Sequence, residues 1–211
     1  KIRSFLGSGA LLPGKMQAEI ETAHTVREEE GQGARSSSAG RMARLGVTGH
    51  FGAITYGLSY RNAGKEFLVA PDQGKREVWG EWQAKMIRVR NTLTEVWTNV
   101  DRDPSRPQVR HMQERLSVFV APPTWGEASL SYGRGLLSSN MLAQGVTLMR
   151  NQSHLLEGAY TFSDSKWSGR LSSTYTTTSD QLNSGQETKG FIHALTGTLR
   201  PVEGMTLVPI I

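Results

Sequence analysis

Apolar and polar residues alternate with a period of two along most of the chain, the spacing at which successive side chains of an extended strand face opposite sides. In residues 53–61, Ile54, Tyr56, Leu58 and Tyr60 share one parity, and Ala53, Thr55, Gly57, Ser59 and Arg61 share the other. A helix would scatter these two sets around its circumference. The preceding stretch sorts Ala43, Leu45, Val47, Gly49 and Phe51 from Met42, Arg44, Gly46, Thr48 and His50, which predicts a hairpin turning at Gly52. The same alternation sets Trp167, Gly169, Leu171, Ser173 and Tyr175 against Ser168, Arg170, Ser172, Thr174 and Thr176. It returns in Phe191, His193, Leu195, Gly197 and Leu199 against Ile192, Ala194, Thr196 and Thr198. A first strand is predicted over residues 16–27, with Met16, Ala18, Ile20, Thr22 and Val26 facing away from Gln17, Glu19, Glu21 and Arg27.

Turn chemistry punctuates these runs. Residues 101–107 (Asp-Arg-Asp-Pro-Ser-Arg-Pro) read as a loop, and residues 121–124 (Ala-Pro-Pro-Thr) as a turn between strands at 116–120 and 128–132. Residues 163–166 and 200–204 read as tight turns, whereas the polar stretches 31–40 and 179–189 read as long exposed loops. From 77 to 100 the apolar parity passes from Val78, Trp82, Ala84 and Met86 to Ile87, Val89, Leu93 and Trp97, so a bulge or a turn is expected near Met86. Residues 134–146 are the one stretch expected to be irregular or helical. No repeat of fixed length emerges, which argues against a propeller or solenoid.

Many short strands joined by hairpins leave two solutions, a sandwich of two sheets or a closed barrel. With 211 residues, one domain spanning 1–211 is expected. The strands reach about 10 residues, the length of a tilted membrane-spanning strand rather than of a typical soluble one. Tyr60, Trp79, Trp97, Tyr132, Phe162, Trp167 and Tyr175 fall near strand ends, where interfacial aromatic girdles form. In a sandwich the same residues would fill an ordinary core.

The segments Tyr56-Gly57-Leu58-Ser59-Tyr60-Arg61 and Glu157-Gly158-Ala159-Tyr160-Thr161-Phe162, with residues 199–207, resemble strands and periplasmic turns of porin-class bacterial outer-membrane β-barrels. The likeness is one of pattern and singles out no subfamily. It implies an antiparallel, up-and-down membrane barrel in a Gram-negative envelope, working in transport or as a membrane anchor, with lipid and other envelope proteins as partners. The chain departs from that class at its end, where Val208-Pro209-Ile210-Ile211 replaces a strand finishing in an aromatic residue. A fragment of a larger barrel, completed by further strands, is therefore expected. The start at Lys1 predicts that a leader has been removed.

Composition narrows the chemistry. Hydrophobic residues make up 37% of the chain and the mean hydropathy is −0.40, values shared by soluble proteins and by barrels whose polar face points inward. No stretch supplies the roughly 20 apolar residues of a membrane helix. The net charge of +5 is spread along the chain rather than clustered, so nucleic acid is not an expected partner. There is no cysteine, hence no disulfide, thiolate metal site or cysteine nucleophile.

The five histidines (His24, His50, His111, His154 and His193) lack metal-ligand spacing, and no Gly-x-Ser-x-Gly elbow marks a serine hydrolase. No cofactor is expected, and an outer-membrane lipid hydrolase is the least favoured class. If the apolar parity meets lipid, then Glu19, Glu21, Arg44, His50, Arg61, Glu81, Lys85 and Arg170 line a lumen and tune its selectivity. The leading expectation is thus a non-enzymatic outer-membrane channel, export conduit or anchor. The alternative is a soluble or secreted β-sandwich that binds carbohydrate or protein.

Overall fold

A computed structural model describes residues 2–12, 14–31, 34–67, 72–124, 126–139, 148–163, 167–183 and 186–199. All regular structure is strand: β1 (Ile2–Leu12), β2 (Met16–Gly31), β3 (Ala34–Phe51), β4 (Ile54–Ala63), β5 (Gln73–Ala84), β6 (Ile87–Thr98), β7 (Val109–Val120), β8 (Glu127–Ser139), β9 (Arg150–Ser163), β10 (Trp167–Asp180) and β11 (Glu187–Leu199). They form one sheet in sequence order, an antiparallel up-and-down meander in which every strand pairs with its chain neighbours. The sheet is open, with β1 and β11 at its two edges.

Several boundaries move from their sequence-based positions, each for a physical reason. β1 precedes the first predicted strand, because Leu6, Ser8 and Ala10 pair with Glu21, Glu19 and Gln17 and so place apolar side chains on the polar parity, which blurs the alternation. Residues 34–40 are strand rather than loop. Their ladder continues from Val26 opposite Ala39 to Gly31 opposite Ala34, so backbone pairing extends past the point where the apolar alternation stops. The break near Met86 is a two-residue turn, with Lys85 in the left-handed region at φ 35°. β10 and β11 stay paired to Ser179 opposite Glu187, which shortens the predicted 179–189 loop. Of residues 134–146, expected to be irregular or helical, 134–139 are the end of β8 and 140–146 lie outside the described residues. The turns predicted at 164–166 and 200–204, and residues 208–211, lie outside the described residues.

The chain divides into two compact units, Lys1–Gly80 with Thr92–Gln113 and Leu136–Arg150, and Glu81–Asn91 with Glu114–Gly135 and Asn151–Ile211. In the first unit, cross-strand register carries one face through Ile20, Leu45 and Tyr60, then Ala18, Val47 and Leu58. The large side chains of this parity are exposed, from Tyr60 at 38% to Phe51 at 75%, with Ala18 and Val47 half-buried. The opposite, polar parity holds the only buried hydrophobic residues among those described, Ala23, Ala63 and Phe67, with Met42 packed against them. In the second unit the apolar parity of β9 and β10 pairs Leu156 with Tyr175 and Tyr160 with Leu171, and these four are exposed as well. Its polar side buries Ser117 and Ser131, whose hydroxyls bond at 2.9 Å. Among the described residues no second sheet packs on the apolar parity of either unit, whereas the sandwich alternative requires one.

With so little apolar core, ladder bonds and interlocked side chains hold neighbouring strands. A Cβ on Gly49 would come within 2.6 Å of the Tyr56 ring, and one on Gly57 within 2.5 Å of the Trp79 ring. Trp97 lies in the same way over Gly74, and Phe162 over Gly169. In each case a flat ring lies against a neighbouring strand where no side chain stands. Valine at Gly57 should displace the Trp79 ring and cost about 1–3 kcal/mol despite its better strand propensity. Valine at Gly158, where a Cβ meets nothing within 4 Å, should be neutral or mildly stabilising. Unfolding midpoints of the two variants in urea will separate these outcomes.

Candidate functional site on the polar face

Register brings the predicted lining residues of the first unit into rungs. Glu21 of β2 lies opposite Arg44 of β3, and Arg44 lies opposite Arg61 of β4. The Arg44 Nη1 and Glu21 Oε2 atoms are 3.8 Å apart, a loose pair that leaves two guanidinium groups on one rung. Like charges directly opposite repel, so each guanidinium on this rung depends on its own polar or anionic partner. Glu19 shares the next rung with Gly46 and Ser59, and His50 pairs with Thr55 beside the Gly52 turn.

The connection following β4 folds over this face. Phe67 is buried against Ala23 and Ala63, and the Thr25 hydroxyl donates to the Glu66 carbonyl (3.2 Å) and the Gly40 carbonyl (3.4 Å). Gly40 is required there, since any Cβ would collide with the backbone of Glu66 and Phe67. Beneath the fold is a recess of about 480 Å³ whose charged lining is Glu21, Arg44, Arg61 and Lys75. Lys75 Nζ also reaches Glu77 Oε2 at 2.9 Å. Three cations against one lining carboxylate give the recess a positive field, which low-dielectric walls concentrate.

A hydrogen-bonded brace holds the covering loops. Asp72 Oδ1 accepts from the Val100 N–H at 2.7 Å, and Asp72 Oδ2 pairs with Arg106 Nη1 at 2.8 Å. Asn99 organises residues 99–106, because its Nδ2 donates to the Asp103 and Arg106 carbonyls (2.9 and 2.7 Å) and its Oδ1 accepts from the Asp103 N–H (2.7 Å). Lys65 N–H adds a bond to Asp101 Oδ2 at 3.1 Å. The Ser105 hydroxyl, followed by its N–H, holds the Asp103 carboxyl below the usual carboxylate range. A depressed pKa means this turn contact is kept above the ordinary carboxylate pKa and lost as pH falls through the lowered value.

The second unit's polar face carries its own pairs. Arg90 approaches Glu81 at 3.7 Å, Arg115 Nη2 donates to Glu157 Oε2 at 2.6 Å, and the Arg88 guanidinium sits 4.3 Å over the Phe119 ring. Arg170 is on this parity and exposed, opposite Thr161 and Thr196.

Two predicted positions differ. Lys85 is a turn residue, so it lines no face, and Trp79 lies over Gly57 on the polar parity rather than in an apolar girdle. Tyr60, Trp97, Tyr132, Phe162 and Tyr175 do occupy the apolar parity. Tyr60 packs on Trp97 with ring centroids 6.0 Å apart, and Tyr175 on Phe191 at 6.2 Å. Trp167 is described only by its pairing with Leu199, its side chain lying outside the described residues. The sequence reading missed Phe67 and Lys75, the first because it sits beyond the alternating run. It also left Trp82 out of the aromatic set, although this residue is exposed on the apolar parity near the β5 turn.

Among the described residues no three His, Asp or Glu side chains gather as a metal site. His154 instead bonds to Tyr132 Oη (2.7 Å) and Gln152 Nε2 (2.8 Å). No family model, curated protein or solved structure matches the chain.

The brace supports a direct test. Asp72→Ala leaves the Val100 N–H and Arg106 without their acceptor, at a cost of about 1–3 kcal/mol. Hydrogen exchange should accelerate across residues 99–106 while β10 amides keep their protection.

Proposed function

We propose that this chain forms the wall of a bacterial outer-membrane β-barrel that conducts polar solutes along its polar face, without catalysing a reaction. The observation that carries the reading is the inverted placement of apolar surface. A soluble chain of this length would bury a substantial apolar core, whereas here the buried hydrophobic residues among those described are Ala23, Ala63 and Phe67. Leu58, Tyr60, Leu93, Leu116, Leu156 and Leu171 are exposed on one parity instead. Lipid is the solvent in which such a face is stable.

Further features agree. Strands of 10 residues or more are long enough to cross a bilayer when tilted. Connections after β1, β3, β5, β7 and β9 are two to six residues long, while on the other side those after β4, β6 and β8 run to nine or ten and those after β2 and β10 are two and six. In an up-and-down sheet, alternate connections emerge on opposite sides, and outer-membrane barrels place short turns on the periplasmic side and long loops outside. The open edges of β1 and β11 call for pairing partners, which further strands of a larger barrel would supply.

Arginine on a lipid-facing position near the bilayer centre costs roughly 2–4 kcal/mol, and little on a lumen face. Leu58→Arg and Leu171→Arg should therefore impair folding into lipid vesicles, whereas Ser59→Arg and Ser172→Arg should fold and alter only conductance. Equal folding of all four variants would show that the parity is reversed. A parent protein that partitions into the soluble fraction without detergent would sink the membrane reading itself.

The positive recess predicts anion preference. In planar bilayers under a salt gradient, Arg61→Glu should move the reversal potential toward cation selectivity, and an unchanged potential would remove this face from the conduction path.

A further inference from the structure

On the apolar parity of the first unit, a charged cluster on β5 to β7 is left unused by conduction along the polar face. Glu95 is on the same β6 parity as Leu93 and Trp97, yet is only 3% exposed. Its two carboxylate oxygens take the Nε–H groups of Arg76 from β5 and Arg110 from β7. Both arginine side chains remain about half exposed, at 55% and 54%. Because each guanidinium is held through Nε, its Nη donors are left over, and no other partner occupies them among the described residues. Arg102, in the loop after β6, lines the same recess and has no side-chain partner among the described residues. The recess measures about 420 Å³, and Tyr60 and Trp97 form its aromatic wall.

Charge bookkeeping on these residues leaves an excess. One carboxylate neutralises one of two guanidinium groups, and Arg102 adds another cation, so the cluster carries about two uncompensated positive charges by simple count. Glu95 thus acts as a positioning residue that fixes two planar donor groups side by side. Such forks match phosphate oxygens in geometry and charge. Below the cluster the same parity continues into exposed Val78, Leu93 and Met112. A ligand that satisfies both parts has an anionic phosphate head and apolar tails.

We propose that Arg76, Arg102 and Arg110 bind the phosphate headgroup of an anionic membrane lipid, whose acyl chains lie along Val78, Leu93 and Met112. The site rests on the membrane reading above and gives it a specific lipid contact at the long-loop ends of β5 to β7. Held there, the lipid offsets the cost of placing charge on a surface that otherwise faces hydrocarbon.

The test uses the full chain folded in neutral phosphatidylcholine nanodiscs, titrated with phosphatidic acid, with diacylglycerol of the same tails and with inorganic phosphate. Phosphatidic acid should bind saturably and raise the urea midpoint, and diacylglycerol should do neither. Arg102→Gln and Arg110→Gln should each weaken phosphatidic acid binding about tenfold. Arg134→Gln, an exposed arginine on the apolar parity of β8, should leave it unchanged. Arg102 is in an exposed loop, so its variant keeps the test informative should Arg110→Gln fold poorly.

Failure of the parent to insert would refute the membrane reading rather than this site. Insertion with equal binding of phosphatidic acid and diacylglycerol, or with undiminished binding by both arginine variants, would overturn the site. Inorganic phosphate binding as tightly as the lipid would overturn the lipid as its occupant in favour of a free anion.

Discussion

Backbone pairing between chain neighbours is the constraint from which the rest follows. Each strand from β2 to β10 satisfies its N–H and C=O groups against the strand before and the strand after it, and β1 and β11 do so on one side, so the sheet needs no apolar interior to hold its backbone. That frees both surfaces for other uses. Side chains act mainly to fix register, and they do so through shape: Tyr56, Trp79, Trp97 and Phe162 each lie across a glycine of an adjoining strand. A one-residue slip would set each ring against a side chain and turn every apolar residue to the wrong face.

With the backbone satisfied internally, the two faces divide the remaining chemistry. The polar parity concentrates ion pairs such as Glu21 with Arg44 and Glu157 with Arg115, and small residues such as Ser117, Ser131, Gly133 and Gly135 that let long side chains cross. The Phe67 loop narrows part of this face and is braced by Asp72 and Asn99. Polar groups that would be costly to bury alone are here paired or hydrogen-bonded to one another. The apolar parity shows the reverse economy, with large side chains spaced along strands and little packed upon them.

Much of this was legible in the sequence because period-two alternation is a local property. The parity of Glu19, Glu21, Arg44, His50, Arg61, Glu81 and Arg170 could be read without knowing any pairing, and the sheet places all seven on the polar side. Trp79 failed because strand-end position was weighed above parity, and its neighbours Val78 and Gly80 already put it opposite the apolar set. Lys85 failed because a two-residue turn reverses the chain without any glycine or proline to announce it. The long β2–β3 hairpin was missed for a different reason. Beyond Val26 neither face is apolar, so pairing persists there while the periodic signal vanishes.

What periodicity cannot reveal is which charged residues meet across strands. Glu95 stood on the apolar parity in plain view, but its meaning depends on Arg76 and Arg110, 19 residues before it and 15 after it. Only the register of three strands brings those side chains together, and their convergence turns an exception to the pattern into a feature of it. A lone carboxylate facing hydrocarbon would be driven to neutralise. Flanked by two guanidinium groups it stays an anchor, and the charge left over must be met from outside the chain. The excess sits on the apolar parity, where the proposed lipid would meet it.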